Sequence, residues 1–354
     1  MLNGGAVMMN VVMLFAVALP IALAALDTQS GPQALTIFGQ LGLTPQQIAG
    51  IDAGKPAAKV LSWGGPSEVY VFGAVRVNGS PAAYLKAARD IKRLSGTKGY
   101  LGIGELSTTT SATDLRVLSV DPDDVKALKN CKEGDCDVQL PTASIRAFQD
   151  SVNWSRPDAA DQVNGLARQM IVDLLAAYRR GGNEALGVYR DKENPARVAQ
   201  QFATMIGRAV ALPDVMPELK RYLLEYPAAE LPGADSFFYW EKVNFGMKPT
   251  IRVNHGIVYH TRAKDRDIDA VVIKQLYASH YFHTALDVTM CVADTTRPGA
   301  PGFYLLTLKG SEQDGLTGMK GSMLRKIVVD KTRSSLEDAL ASMKRTVEQT
   351  ASVR

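Results

Sequence analysis

Two stretches decide the fold: TIRVNHGIVYHT at residues 250–261, and AVVIKQLYASHYFHTALDVTMCVA at residues 270–293. Both alternate apolar and polar side chains with the period of two that marks a half-buried strand. The polar connection RAKDRDID, residues 262–269, makes an antiparallel hairpin the expected arrangement. Centring that connection pairs Ile257 with Lys274 and His255 with Leu276. On this register Ile251, Val253, His255, Ile257 and Tyr259 share a face with Val272, Leu276, Ala278, His280 and Phe282. The complementary residues (Arg252, Asn254 and His260; Gln275, Ser279, His283 and Asp287) are mostly polar. Both alternations agree on the faces, and a slip of two residues would leave them unchanged.

All four histidines, His255, His260, His280 and His283, lie in this region. In strands, His255 and His260 point to opposite faces, as do His280 and His283. His255 and His280 share a face but stand roughly 13 Å apart at ~3.3 Å per residue. Zinc needs nitrogens ~2.0–2.1 Å from one ion, so no metal site and no cofactor are expected. His255, Tyr259, Lys274 and His280 nevertheless stand on an otherwise apolar wall. Each needs a partner, because an unpaired buried polar group costs about 1–3 kcal/mol and a charge more. Either protein groups satisfy them or they face a cavity and meet a ligand's polar end, which makes them the candidate ligand-binding residues.

Outward from the hairpin, GFYLLTLKG (302–310) and MLRKIVVDK (323–331) read as further strands. SSLEDALASMKRTVEQ (334–349) reads as a closing helix, with Ser334 and Glu337 as a capping box. Leu336, Leu340, Met343 and Val347 form its apolar stripe. Toward the front, TPQQIAGI (44–51) predicts a short helix, and EVYVFGAVRV (68–77) a strand with Val69, Val71, Val75 and Val77 on one side. PAAYLKAARDIKRL (81–94) follows as a helix capped by Ser80. GYLGIGEL (99–106) and DLRVLSV (114–120) read as strands, and DPDD (121–124) as a helix start.

Residues 142–232 are helical by pattern. DQVNGLARQMIVDLLAAYRR (161–180) carries Val163, Leu166, Met170, Leu174 and Ala177 at helical spacing, and Gly181–Gly182 stops it. RVAQQFATMIGRAVAL (197–212) and MPELKRYLLEY (216–226) are two more helices.

The net charge of +4 is mild, and basic residues are interleaved with acidic ones. Nucleic acid is not an expected partner, because phosphate recognition needs a concentrated basic face. Residues 6–26 contain no charged side chain and run into PIALAALDTQ (20–29), a sequence with small residues where a signal peptidase cuts. Residues 1–26 are read as a signal peptide or a retained membrane anchor. Both readings export the rest of the chain to the periplasm or beyond. Cys131 and Cys136 in NCKEGDC, with Gly134 permitting a tight reversal, are expected to form a disulfide in that oxidising setting. Cys291 remains, as a buried free thiol. There is no G-x-S-x-G, H-E-x-x-H, phosphate loop or EF-hand series. Paired carboxylates for glycoside chemistry need not be close in sequence and stay open.

The order of a strand, a short helix, antiparallel strands and a long amphipathic C-terminal helix resembles the START-like, helix-grip superfamily. EVYVFGAVRVNGSPAAYLKAARDIKRL (68–94) and MLRKIVVDKTRSSLEDALASMKRTVE (323–348) carry the resemblance, over about half the chain. It implies an α+β fold in which a curved antiparallel sheet grips the C-terminal helix; residues 142–232 depart from that pattern, as a helical insertion or separate subdomain between residues 27–141 and 233–354. It further implies a lipid or other apolar small molecule bound between sheet and helix, and with the export expected from residues 1–26 the reading is an exported envelope protein that binds such a ligand. Two alternatives stand beside it: an extracytoplasmic hydrolase or lyase using an inner-face histidine, and an interaction module built on the helical zone.

Overall fold

A computed structural model describes residues 38–208, 216–263, 266–294, 296–297 and 302–352. The expected signal or anchor at residues 1–26 and the end of the helix expected over 197–212 lie outside them. No described helix is long and apolar enough to cross a membrane.

The fold is α+β, built on an eight-stranded antiparallel sheet in the order β1-β2-β10-β9-β8-β7-β6-β3. Its strands are β1 (Ala57–Leu61), β2 (Glu68–Asn78), β3 (Tyr100–Leu106), β6 (Ala234–Asn244), β7 (Pro249–Ala263), β8 (Arg266–Ala278), β9 (Phe282–Asp294) and β10 (Gly302–Gln313). Val188–Tyr189 and Ala196–Arg197 (β4 and β5) form a separate small ladder. The β7–β8 hairpin has the expected faces. Its register is two residues away, with His255 opposite Lys274 and Ile257 opposite Val272. A bulge between Val253 and Asn254 shifts the pairing beyond it.

Helices cover both faces. The first face lies under the C-terminal helix α8 (Gly318–Ser352) and the short α2 (Pro81–Arg89). Val69, Val71, Val75 and Val77 of β2 meet Leu336, Leu340 and Val347 of α8 there. Gly73 allows the approach, since a Cβ at that position would lie 2.8 Å from a Leu336 methyl. Glu337 Oε1 accepts the Ala58 amide at 3.0 Å and Glu348 Oε1 the Asn78 amide at 2.8 Å, so α8 also satisfies strand backbone.

The alternate residues of β2, Tyr70, Phe72 and Ala74, belong to the opposite core. That face is covered by the helical zone: α5 (Ala159–Gly181), α6 (Val198–Arg208) and α7 (Pro217–Glu225), with α3 (Pro122–Leu128) and α4 (Thr142–Ser151) at one end. Helix α5 joins two cores, Val163 packing with α3 and α4 while Ile171, Leu175 and Tyr178 pack on the sheet. It stops at Gly182, whose φ of 60° and approach to the Tyr226 carbonyl leave no room for a Cβ.

The N-terminal helix α1 (Pro45–Asp52) begins with a full capping box, Thr44 with Gln47. Asp121 caps α3, as the DPDD reading expects, and Ser80 caps α2. Cys131 and Cys136 are joined, their Cα atoms 4.6 Å apart around Gly134 at φ +83°. Cys291 is buried and free.

Four expectations are corrected. MLRKIVVDK is not a strand but the first half of α8. Its β-branched run imitates a strand, yet Leu324 and Val328 fall at i,i+4 in line with Leu336 and Leu340 while Met323 and Ile327 face solvent. Ser334 therefore lies inside the helix, its hydroxyl bonded back to the Lys331 carbonyl at 3.2 Å, and caps nothing. DLRVLSV is a series of turns; Leu115 and Leu118, three apart, are both fully buried while Val117 is exposed. Residues 270–293 break at 279–281, where Tyr281 adopts φ 66°, so His280 lies in a turn and Phe282 opens β9. Strands β1 and β6 add to those expected; β6 is buried on both faces, which removes the alternation that would announce it.

Candidate functional site

The helical face of the sheet buries two polar clusters. The first centres on Lys274 of β8, which has no exposed surface. Its ammonium donates to Tyr178 Oη of α5 at 3.2 Å, to the Leu223 carbonyl of α7 at 3.1 Å, and to Asn183 Oδ1 just past α5. The rings of Tyr178 and Phe202 lie 5.2 and 5.0 Å from it, within cation–π range. Burial pushes the Lys274 pKa down to about 7.

From Lys274 a chain of hydrogen bonds leads outward. Tyr178 Oη lies 3.1 Å from His255 Nδ1, and His255 Nε2 lies 2.7 Å from Ser236 Oγ. Tyr222 donates to Ser236 Oγ at 3.3 Å. Ser236 is exposed, on the stretch of β6 that β3 does not reach, because their pairing ends at Phe238. Phe238 stacks on the His255 imidazole at 4.5 Å, and Tyr226 meets it edge-on at 5.1 Å. Burial first, then the Lys274 and Arg179 cations, hold the His255 pKa well below its usual range, so the ring is neutral. Burial raises the Tyr178 hydroxyl well above 10.

A neutral imidazole has one donor and one acceptor nitrogen, so the chain has a direction. With Lys274 as an ammonium, all three of its protons are used, and Tyr178 must donate to Nδ1. His255 Nε2–H then points at Ser236. With Lys274 as an amine, its lone pair can take the Tyr178 proton, Tyr178 accepts from Nδ1–H, and Nε2 becomes an acceptor for the Ser236 hydroxyl. Loss of one proton from the buried lysine thus opens the direction in which Ser236 faces a base instead of a donor.

The second cluster lies at the other end of the hairpin. His280 Nε2 and Asp124 Oδ2 of α3 are 2.8 Å apart, both side chains buried. Asp124 Oδ1 has no hydrogen-bond partner among the described residues. Asp124 lines a partly open pocket of about 160 Å³ between α3, α4, α5 and the ends of β7 and β8. Leu128, Phe148, Met170, Tyr189, Ile251 and Leu276 are among the residues of its apolar wall.

The sequence-derived candidates therefore separate. His255 and Lys274 join through Tyr178, and His280 belongs to the pocket cluster. Tyr259 is packed in the apolar core rather than in either cluster. The wall that carries them faces the helical zone, not α8. Tyr178, Asn183, Tyr222, Ser236 and Asp124 escaped the sequence reading. Only Tyr178 left a signal, as a tyrosine in line with Ile171 and Leu175 at the end of an apolar stripe. Asp124 stands in the DPDD stretch, which reads only as a helix start, and Asn183, Tyr222 and Ser236 lie just past α5, on a short helix and on a strand without alternation, where no local pattern marks them as site residues.

Compared with known proteins, the chain matches no family model and no curated protein, so its chemistry is read from its own residues.

Proposed function

We propose that this protein binds a small apolar molecule in the pocket between α3, α4, α5 and the sheet. One observation carries the reading: a partly open cavity of about 160 Å³, walled by aliphatic and aromatic side chains, with a buried carboxylate at its side. An apolar cavity with few polar groups is the common design of small-molecule sites. A cavity of ~150 Å³ lined by apolar side chains stays dry and takes up benzene. The room therefore suits a ring or a short acyl segment, and a longer lipid would have to leave part of itself outside. The START-like resemblance implies a ligand of the same apolar class, although this pocket is on the opposite face of the sheet from α8. We further propose that the protein works outside the cytoplasm, where the Cys131–Cys136 bridge is stable.

The test is to purify the chain from residue 27 onward without detergent, extract it with organic solvent, and analyse the extract by mass spectrometry. A stoichiometric apolar compound, displaced by mutation of Met170 or Leu276 to Trp, is the expected result. A clean extract, with native mass spectrometry giving bare protein and added small aromatics failing to bind, overturns the reading.

A second reading has its own observation. Ser236 Oγ stands 2.7 Å from His255 Nε2, with Tyr178 on Nδ1, the spacing required of a nucleophile, its base and the group that orients the base. It favours a hydrolase that uses the inner-face histidine. For a protein-interaction module the support is thinner. Among the described residues the large exposed apolar side chains, Leu101, Val117, Met247, Met323 and Ile327, lie outside residues 142–232.

A further inference from the structure

The pocket's chemistry narrows what can occupy it. Asp124 is its one carboxylate among the described lining residues. One of its oxygens, Oδ2, is engaged by His280 Nε2 at 2.8 Å. The other, Oδ1, is buried without a partner among the described residues. A buried carboxylate oxygen left unpaired is costly, and the pocket that Asp124 lines is otherwise walled by residues such as Leu128, Phe148 and Met170. A carboxylate oxygen can only accept, so the missing partner is a donor. The pocket that Asp124 lines has room for about one ring, and Phe148, Tyr189 and Tyr277 stand in its wall.

We infer that the ligand is a small aromatic molecule bearing one O–H or N–H group, such as a phenol, an indole or an arylamine, with that group donating to Asp124 Oδ1. His280 acts as a positioning residue, holding Asp124 through Oδ2 so that Oδ1 is presented to the pocket. The inference rests on the proposed apolar-ligand function and adds the polar end of the ligand to it.

The experiment compares three rings of similar size by calorimetry or ligand-observed NMR: phenol, which donates; benzonitrile, which only accepts; and toluene, which does neither. Each affinity is referred to the compound's own transfer from water to hydrocarbon, which removes the difference in solubility. In the wild-type protein phenol is expected to exceed toluene on that scale by about ten-fold or more, the worth of one hydrogen bond to a charged acceptor. Asp124→Asn keeps the shape and one oxygen for His280 but turns an amide N–H toward the pocket. Phenol should then lose its advantage and benzonitrile gain it.

If phenol and toluene simply follow their transfer energies in the wild type, water satisfies Oδ1 and the inference falls while the apolar pocket stands. If none of the three binds, the pocket reading itself falls, and this inference with it. The wild-type comparison decides the matter even should the Asp124→Asn protein fail to fold.

Discussion

The two faces of the sheet are built from the same strands and do opposite things. Beneath α8, β2 and β10 present Val75, Val77, Phe303 and Leu305 to Leu336, Leu340 and Val347, a contact that fills space. Beneath α5 and α7, β7 and β8 bury Lys274 and His255 among aromatic rings, and the turn after β8 buries His280 against Asp124. Desolvating such groups opposes folding, and replacing them with well-packed apolar residues is often neutral or stabilising. The second face carries that cost beside an apolar core of its own, to which Phe72, Ile171 and Leu175 belong. Buried titratable groups with displaced pKa values concentrate at functional sites, and the candidate chemistry lies on the second face.

If that division holds, damage to the first face costs stability and leaves ligand binding intact. Leu340→Ala should lower the unfolding free energy by ~2–5 kcal/mol, through lost burial plus the cavity left against Gly73 and β2. Denaturant unfolding measures it. Aromatic ligands should bind the folded variant as they bind the wild type. A changed affinity would mean that α8 and the pocket are coupled through the sheet, and the two faces would no longer be separate.

Changing the second face should act through pH. Lys274 loses its proton near 7 when folded but keeps it to about 10 in the unfolded chain. Between those values the unfolded state carries more protons, so stability rises with pH, by at most ~1.4 kcal/mol per unit. Below 7 the full cost of burying the ammonium is present; above about 10 it is gone. Subtracting the unfolding free energy of Lys274→Met from that of the wild type, at pH 7, 8 and 9, should leave a positive slope. A flat difference would show that Lys274 titrates normally and that the cluster is wetter than its burial suggests.

The same contrast governs what could be read from the sequence. The first face is legible because it is apolar and periodic: Val69 to Val77 at period two, Leu336 to Val347 at helical period, and the α8 contact follows from matching the two. Its one misreading, MLRKIVVDK as a strand, arises because β-branched residues favour strands while the tertiary contact of Leu324 and Val328 favours helix. On the second face the hairpin placed His255 and Lys274 together, since alternation survives a two-residue slip. Their partners arrive from α5, α7 and β6 over sequence separations that no local pattern encodes. Tyr178 is 77 residues from His255, and Asp124 is 156 from His280. The turn at Tyr281 was missed because a tyrosine at positive φ carries no glycine to announce it.

The disulfide tests how firmly the pocket end of the second face is tied. Cys131 and Cys136 sit in the core shared by Leu128, Val138, Leu140 and Phe148, all of which also line the pocket. Closing so short a loop is worth ~2 kcal/mol on the chain-entropy account. Replacing both cysteines by serine should reduce stability by about that amount, measured by thermal or denaturant unfolding. The variant should also weaken binding of small aromatics by loosening α3, whereas Leu340→Ala should not.

The smallest effect on stability, and the sharpest on chemistry, is expected at Ser236. Its side chain is exposed and contributes one hydrogen bond to His255 and one from Tyr222, so Ser236→Ala should change stability by no more than ~1 kcal/mol. Reactivity is another matter. Only when Lys274 is an amine does the Tyr178–His255 chain turn His255 Nε2 toward the serine as an acceptor. Labelling of Ser236 by a fluorophosphonate, followed by peptide mass spectrometry, should therefore rise between pH 6 and pH 8, through the Lys274 pKa of about 7. In Lys274→Met there is no amine to accept the Tyr178 proton, which favours its donation to His255 Nδ1 and a protonated Nε2, so labelling should be weak and lose its rise between pH 6 and pH 8. Labelling that keeps its rise in that variant would separate the serine from the lysine. No labelling at any pH would leave the chain a buried structural network, and the binding pocket the one chemical feature of this face.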